Sequence, residues 1–223
     1  MDCILGAWTR TVVVTGANKG IGACIAEQLC LSKEFGRVIL ACRNEEEGRK
    51  AAARLGIVAE FAHLDLSDPM SIDRFATHMA TVVGRCDGLV NNAAIAFKQA
   101  DPTPFARQTA PTLDTNYRGT VRLTDALLPL LRAGERPFVV NVASMAGALK
   151  QIKSVPLREQ FAAPNLSRAA LDALVQRFQA DVQVPNTRCR DRSDGVFVRW
   201  LCVTLLSGGG SCGARLGQLQ LRP

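Results

Sequence analysis

Short apolar runs alternate with longer segments of helical periodicity through the first 142 residues. The runs are rich in β-branched residues and end at turn-forming residues, a pattern typical of strands buried in a parallel sheet. They predict strands at 11–15, 37–41, 57–62, 87–91 and 137–142. Helices are predicted between them at 20–33, 45–55, 68–83 and 105–131, and Pro111 is expected to break or restart the last one.

This alternation determines the predicted fold class. Strands separated by helices of roughly 10–15 residues form βαβ units. The sequence therefore predicts an α/β fold with a Rossmann-type, doubly wound parallel sheet. After the fifth strand, residues 151–166 are expected to be irregular and residues 166–184 to form a helix.

The composition changes near residue 186. From there onward the chain has six arginines, three cysteines and no lysine, and residues 208–213 read Gly-Gly-Gly-Ser-Cys-Gly. Residues 196–206 have strand propensity, whereas the glycine-rich part is typical of flexible segments. We expect a Rossmann domain over residues 1–185 and a divergent, partly disordered tail over 186–223, which leaves the C-terminal part of the fold incomplete.

The overall composition is that of a globular protein. Hydrophobic residues make up 48% of the 223, enough for one domain with a substantial core. No apolar run reaches the ~20 residues that span a membrane, and the first ten residues do not resemble a secretory signal. The eight cysteines are scattered without a Cys-x-x-Cys pair, so we expect no metal site and a reducing, cytoplasmic location.

The net charge of +7 raises the question of an anionic partner. Six arginines and two aspartates place +4 of that charge in residues 186–223. No recognised nucleic-acid module is present, so a solvated basic surface is preferred over nucleic-acid binding. An anionic cofactor would also suit a basic pocket.

A glycine-rich segment directly follows the first predicted strand and opens the first predicted helix. It reads Thr15-Gly16-Ala17-Asn18-Lys19-Gly20-Ile21-Gly22. Glycines let the chain turn tightly and bring backbone N–H groups close to a diphosphate, and the helix N-terminus adds unpaired donors. A glycine-rich turn without a ligand is the alternative. The spacing is not that of a Walker loop, which argues against an ATPase.

Basic residues near this segment favour NADP(H) over NAD(H). Arg43 lies 21 positions beyond Gly22, at the end of the second predicted strand, where an NAD enzyme usually has an acid. A guanidinium there can pair with a 2′-phosphate, and Lys19 can add a second positive charge. The alternative for Arg43 is an ordinary surface arginine.

Four further segments follow the strands or lie in the long helix. They read His63-Leu-Asp65-Leu66, Asn91-Asn92-Ala93-Ala94, Thr115-Asn116-Tyr117-Arg118-Gly119-Thr120 and Asn141-Val-Ala-Ser144. Together with the glycine-rich segment, they resemble the short-chain dehydrogenase/reductases over about residues 10 to 187. Residues 91–105 are similar to the NADPH-dependent carbonyl reductases in particular.

The resemblance implies a set of site residues. Those that would bind NADPH are Gly16, Asn18, Lys19, Gly20, Ile21, Gly22, Arg43, Asp65, Leu66, Asn91 and Ala93. Those that would line the substrate mouth are Phe97, Lys98, Gln99, Gln108 and Ser144. Asp65 would hold the adenine amino group and Leu66 would flank it. Asp65 as a plain cap, and Asn91 with Asn92 as turn formers, remain alternatives.

The resemblance also implies a reaction, the reduction of a small carbonyl compound. Ser144 would hydrogen-bond the substrate carbonyl oxygen, and Asn116 would brace the active site through a water. Aldehydes, ketones and quinones are the expected substrates, and some carbonyl reductases accept glutathione conjugates. Such reductases are usually monomers; the oligomeric state of this chain is left unassigned.

Two catalytic residues of the family have no counterpart in the sequence. In these enzymes a tyrosine donates the proton and a lysine four residues later lowers its pKa, since free tyrosine titrates near ~10. Tyr117 is the only tyrosine, it lies in the asparagine motif, and no lysine follows Lys153. Resemblance is lost at Arg188. A catalytically inactive NADP(H)-binding variant, produced by alternative splicing or a shifted reading frame, is therefore the alternative to a reductase.

Overall fold

A twisted parallel sheet forms the centre of the molecule. The computed structural model describes residues 10–98 and 100–183, and the backbone of 217–220. The strands are β1 (Thr11–Thr15), β2 (Arg37–Cys42), β3 (Ala59–His63), β4 (Gly88–Asn91), β5 (Phe138–Asn141) and β6 (Gly217–Gln220). Their order is β3-β2-β1-β4-β5-β6, with β1 to β5 parallel and β6 antiparallel to β5. The predicted doubly wound α/β fold is confirmed.

Helices cover both faces of the sheet. They are α1 (Gly20–Leu31), α2 (Glu45–Leu55), α3 (Pro69–His78), α4 (Phe105–Leu113), α5 (Thr120–Arg132), α6 (Val155–Ala162) and α7 (Arg168–Gln183). A π-helical turn at Met79–Val83 extends α3, and a second one, Asp114–Gly119, joins α4 to α5. We call this second turn the π turn. It contains the asparagine motif.

The prediction that Pro111 breaks the long helix is wrong. Pro111 lies inside α4, and the helix continues through the π turn into α5. A side-chain hydrogen bond supplements the backbone hydrogen bonds of the helix here: the Thr112 hydroxyl donates to the carbonyl of Gln108 at 2.7 Å. Leu113, the second residue after the proline, is fully buried. Packing therefore holds the helix together across a residue that lacks an N–H donor.

Residues 151–166, expected to be irregular, contain helix α6. Ser154 caps its N-terminus by accepting a hydrogen bond from the N–H of Leu157, and Pro156 lies in its first turn. Serine before an early proline is an ordinary helix start. The sequence therefore carried the signal for α6. The strand predicted at 196–206 lies outside the described residues.

Alternate residues of β1 pack into different clusters, as a strand with two buried faces requires. Val12 and Val14 pack beneath α1 and α2, whereas Val13 packs with Leu89 and Leu123 on the other face. A third cluster joins the π turn to α6 and α7 outside this layer. None of the helices in the described part of the chain is long and apolar enough to cross a membrane.

Candidate functional site

Most of the predicted site residues lie at or after the carboxyl ends of the five parallel strands, so the fold gathers them along one edge of the sheet; Gln108 and Asn116 lie in α4 and the π turn instead. Strand order reverses between β1 and β4, because the chain continues from β1 to β2 on one side and reaches β4 on the other. Connections that leave in opposite directions open a crevice at such a switch point, where open α/β sheets bind their ligands. The glycine-rich loop and the loop after β4 form the two sides of this crevice.

Three positions of the loop favour glycine, each for its own physical reason. Gly16 and Gly20 have positive φ angles of +66° and +58°, which disfavour a side chain. A Cβ at Gly22 would clash with the Asn92 amide nitrogen and the Gly16 carbonyl, so only glycine fits there. At Gly20 a Cβ would meet nothing within 4 Å. Gly20 therefore marks the open side of the loop.

The N-terminus of helix α1 lacks the side-chain cap that α2 and α3 have, a feature that it shares with α4. No side chain caps its N-terminus and its first turn contains no acid. In contrast, the Asn44 side chain caps α2, which has three glutamates in its first turn, and Asp68 caps α3. The first N–H groups of a helix lack intrahelical acceptors and carry partial positive charge. At α1 these groups are left for an anion such as a phosphate.

Thr15 and Asn92 tie the glycine loop to the loop after β4. The Thr15 hydroxyl oxygen accepts hydrogen bonds from the N–H groups of Asn92 and Ala93, both at 2.9 Å. The Asn92 side-chain amide donates to the Thr15 carbonyl at 2.9 Å. In the sequence, Thr15 stands out only as the first residue of the glycine-rich segment, and Asn92 only as a turn former or part of a motif. Their contact spans 77 positions, so only the fold reveals it.

Two cations next to the loop have no carboxylate partner in the described part of the chain. Lys19 and Arg43 are both exposed, and neither forms an ion pair with residues 10–98 or 100–183. Arg37 on the same strand differs, because it binds Glu60 at 2.7 Å. Arg43 follows β2, whose Ala41 carbonyl accepts the N–H of Gly16 at 2.8 Å. Its positive charge is therefore close to the loop.

Asp65 and Leu66 follow β3. The Asp65 carboxylate accepts the N–H and the hydroxyl of Ser67 at 2.9 and 2.6 Å through one oxygen, Oδ1, so it also caps a local turn. Leu66 is 5% exposed and packs in the core. Both roles at the adenine remain predictions.

Two asparagines lie side by side at the ends of β4 and β5. The Asn91 amide nitrogen donates to Asn141 Oδ1 at 2.8 Å and to the Thr124 hydroxyl at 3.2 Å. Asn91 Oδ1 is buried and meets no donor among the described residues. The pair fixes the spacing of the two strand ends next to the segment that leads to Ser144. Asn91 is thus a sheet-bridging residue and more than a turn former.

The π turn places Asn116 against the loop after β4. Asn116 is 1% exposed. Its Oδ1 accepts the N–H of Ile95 at 2.8 Å, and its Nδ2 donates to the Ile95 carbonyl at 2.9 Å. The structure shows this direct two-way contact with Ile95, while the brace through a water that the resemblance implied stays a prediction. π turns are rare in proteins as a whole, and those that occur are often found at functional sites.

The predicted substrate-mouth residues differ in exposure. Ser144 follows β5 and is partly buried, while Phe97 is half-buried and Lys98 is exposed. Gln108 is only 7% exposed, and its amide donates to the Thr103 carbonyl at 2.7 Å, so it supports the turn before α4. Gln99 lies outside the described residues. The substrate role of these residues stays a prediction.

Tyr117 is not positioned as an exposed proton donor. It is 2% exposed and its hydroxyl donates to Asp172 at 2.6 Å. It packs in the cluster that joins the π turn to α6 and α7.

Among the described residues, no group of three or more His, Cys, Asp or Glu could hold a metal ion.

The fold and the site together define a Rossmann-type protein with a glycine-rich turn at the sheet's switch point. Comparison with known families makes this class specific, since residues 10–188 match the family model described as short chain dehydrogenase. The chain belongs to the short-chain dehydrogenase family.

Curated relatives point to one branch of this family. The chain is 38% identical to carbonyl reductase (NADPH) 3 from Mus musculus over 184 residues, 80% of this chain and 65% of the relative. It is 40% identical to carbonyl reductase (NADPH) 1 from Mus musculus over 176 residues, 77% of this chain and 62% of the relative. The match thus covers less than two thirds of either relative.

Solved structures agree on the fold. Menthone neomenthol reductase from Mentha piperita superposes with a TM-score of 0.76 at 26% identity, covering 89% of this chain and 83% of the other. A metagenomic short-chain oxidoreductase in complex with NADP gives a TM-score of 0.56 at 33% identity, covering 63% of this chain and 64% of the other.

Proposed function

We propose that this chain binds NADPH across the carboxyl edge of its sheet and is a carbonyl reductase-like oxidoreductase. The observation that carries the proposal is the combination found at α1: an uncapped helix N-terminus, a loop that is open at Gly20, and two exposed cations that pair with no carboxylate among residues 10–98 and 100–183. The carbonyl reductase relatives are named for NADPH, which supports the choice of cofactor.

The residues present fit this cofactor. The open side of the loop accommodates the diphosphate against the first N–H groups of α1. Arg43 pairs with the 2′-phosphate and Lys19 adds a second positive charge. Ile21, which is 65% exposed, gives the cofactor an apolar surface to pack on.

The proposed reaction is the reduction of an aldehyde, ketone or quinone to the alcohol. Bound NADPH supplies the hydride. Ser144 orients the carbonyl oxygen by hydrogen bonding, and Asn116 keeps the loop after β4 in place through Ile95. Substrates are small carbonyl compounds, with glutathione conjugates as a narrower possibility at Phe97 and Lys98. The proposed location is the cytoplasm.

A second candidate is an NADP(H)-binding protein without catalytic activity. It is favoured by the single tyrosine of the 223 residues, which is buried and hydrogen-bonded to Asp172. Ser144 and Asn116 alone polarise a carbonyl but supply no matched proton donor. We expect turnover to be very low for this reason.

Titration with NADPH and NADH, followed by cofactor fluorescence, tests the proposal. Arg43→Ala should weaken NADPH binding by about 10- to 100-fold and leave NADH binding within about twofold, because only NADPH has the 2′-phosphate. Arg132→Ala is the matched control, since Arg132 is also exposed but lies at the far end of α5.

NADPH oxidation with a quinone then separates the two candidates. Binding with turnover supports the reductase. Binding without turnover supports the inactive NADP(H)-binding protein. Folded protein that binds neither dinucleotide rules out both.

A further inference from the structure

Two side-chain contacts connect the π turn to α7, outside the cofactor crevice. The Tyr117 hydroxyl donates to Asp172 Oδ1 at 2.6 Å. The next residue, Arg118, donates to the Gln179 side chain at 2.7 Å and to Asp114 within the turn at 2.6 Å. One face of the π turn is therefore held from α7 by two consecutive residues.

The Tyr117 contact is set in an apolar cluster. Tyr117 is 2% exposed and packs with Leu113, Phe161 and Val175. Asp172 is partly buried beside them. A phenol that donates to a carboxylate forms a charge-assisted hydrogen bond, which is stronger and more directional than a neutral one. The contact therefore fixes the orientation of the ring as well as its burial.

The residue before Tyr117 acts on another part of the fold. Asn116 bonds both backbone groups of Ile95, in the loop after β4. A π turn holds one residue more than an α-helical turn, so relaxation to α geometry would rotate part of the helix by about 100° relative to the rest. Asn116 and Tyr117 could not then both keep their partners.

We propose that Asp172 is a positioning residue for the loop after β4. By holding Tyr117, it keeps the π turn in the register that presents Asn116 to Ile95. Ile95 lies close in sequence to Ala93, which is tied to Thr15 at the end of β1. Helix α7 thus determines the shape of one wall of the crevice through the π turn. This inference rests on the proposed function only for the test that uses NADPH affinity.

Amide hydrogen exchange at Ile95 tests the proposal on the full chain, because this N–H exchanges only when it leaves Asn116. Tyr117→Phe and Asp172→Ala should each accelerate exchange at Ile95 by roughly 10- to 100-fold. The two changes combined should accelerate it no more than the stronger single change. Asp172→Asn, which keeps an acceptor for the phenol, should retain most of the protection.

Gln183→Ala is the matched control. Gln183 also joins α7 to the helix before the π turn, by donating to the Ala106 carbonyl at 2.9 Å, but it does not touch the turn. Exchange at Ile95 should stay within about twofold of wild type in this variant. The Leu89 amide in β4 reports global opening. If Asp172→Ala accelerates exchange at Leu89 as much as at Ile95, the variant has lost global stability. The exchange rate at Ile95 in Tyr117→Phe then tests the proposal, because that change removes only one oxygen atom.

Unchanged exchange at Ile95 in Tyr117→Phe would overturn the proposal, as would equal acceleration by Gln183→Ala. NADPH affinity is the second readout, and we expect it to fall at least about threefold in Tyr117→Phe. If the wild-type chain binds no NADPH, the proposed function fails while the exchange result still decides the role of Asp172.

Discussion

Changing Thr15 to valine would leave the N–H groups of Asn92 and Ala93 without their acceptor. Both now donate to the Thr15 hydroxyl oxygen at 2.9 Å, and Thr15 is 1% exposed. Valine has nearly the same shape, so the change removes hydrogen bonds and little packing. A buried donor left unsatisfied costs about 1–3 kcal/mol. Two such donors would cost about 2–6 kcal/mol. Because the hydrogen bonds of Asn92 and Ala93 are only partly buried, we expect the lower part of this range, a loss of about 2–4 kcal/mol in the free energy of unfolding.

Urea denaturation at pH 7 measures this loss. Against a total stability of ~5–15 kcal/mol, the variant should still fold, with a clearly lower midpoint. Thr15→Ser keeps the oxygen and should lose less than about 1 kcal/mol. Thr77→Val is the matched control, since the Thr77 hydroxyl donates to the Asp73 carbonyl on an exposed helix face. A loss in Thr15→Val no larger than in Thr77→Val would refute the reasoning.

Two further predictions concern the buried carboxylate that precedes β4 and a glycine in the first turn of α1. Burial raises the pKa of Asp87, but hydrogen bonds from Arg85 and from the N–H groups of Thr11 and Glu135 outweigh it and hold that pKa below its usual value. Its stabilising effect is thus present above the unfolded pKa near ~3.9 and is lost as the pH falls through the folded pKa. Asp87→Asn should cost about 2 kcal/mol in urea denaturation at pH 7, and the cost should shrink progressively as the pH falls below ~3.9; a cost that does not change with pH would contradict this. Gly22→Ala should abolish NADPH binding, because the added Cβ clashes with the loop; unchanged affinity in the fluorescence titration would show that the loop is not the phosphate site.

Local signals predicted most of the sheet and its helices. The β-branched runs located β1 to β5 within about two residues, and Asp68 before a proline located the start of α3. Ser154 gave the same kind of signal for α6, which the sequence analysis did not use. The break expected at Pro111 is absent, because the low helix propensity of proline is a local effect that the packing of the long helix outweighs.

Motifs singled out the loop, Arg43 and Asn116 as candidate site residues, because each belongs to a contiguous segment with a recognisable pattern. Their binding roles stay predictions. The contacts that organise the site escaped prediction. Thr15 and Asn92 are 77 positions apart, and Tyr117 and Asp172 are 55 apart. No periodicity connects residues at such distances along the chain.

The sequence by itself determined which segments become strands and where a glycine-rich turn follows the first of them, because these depend on local backbone preference within a few residues. Only the tertiary structure decided how the loops meet. Parallel strands bring their carboxyl ends to one edge, and there Thr15 meets Asn92 and Asn91 meets Asn141. The direct contact of Asn116 with Ile95 depends on the π turn. The position of that turn along the helix depends on how the helix packs against its neighbours, and no local sequence pattern specifies this packing.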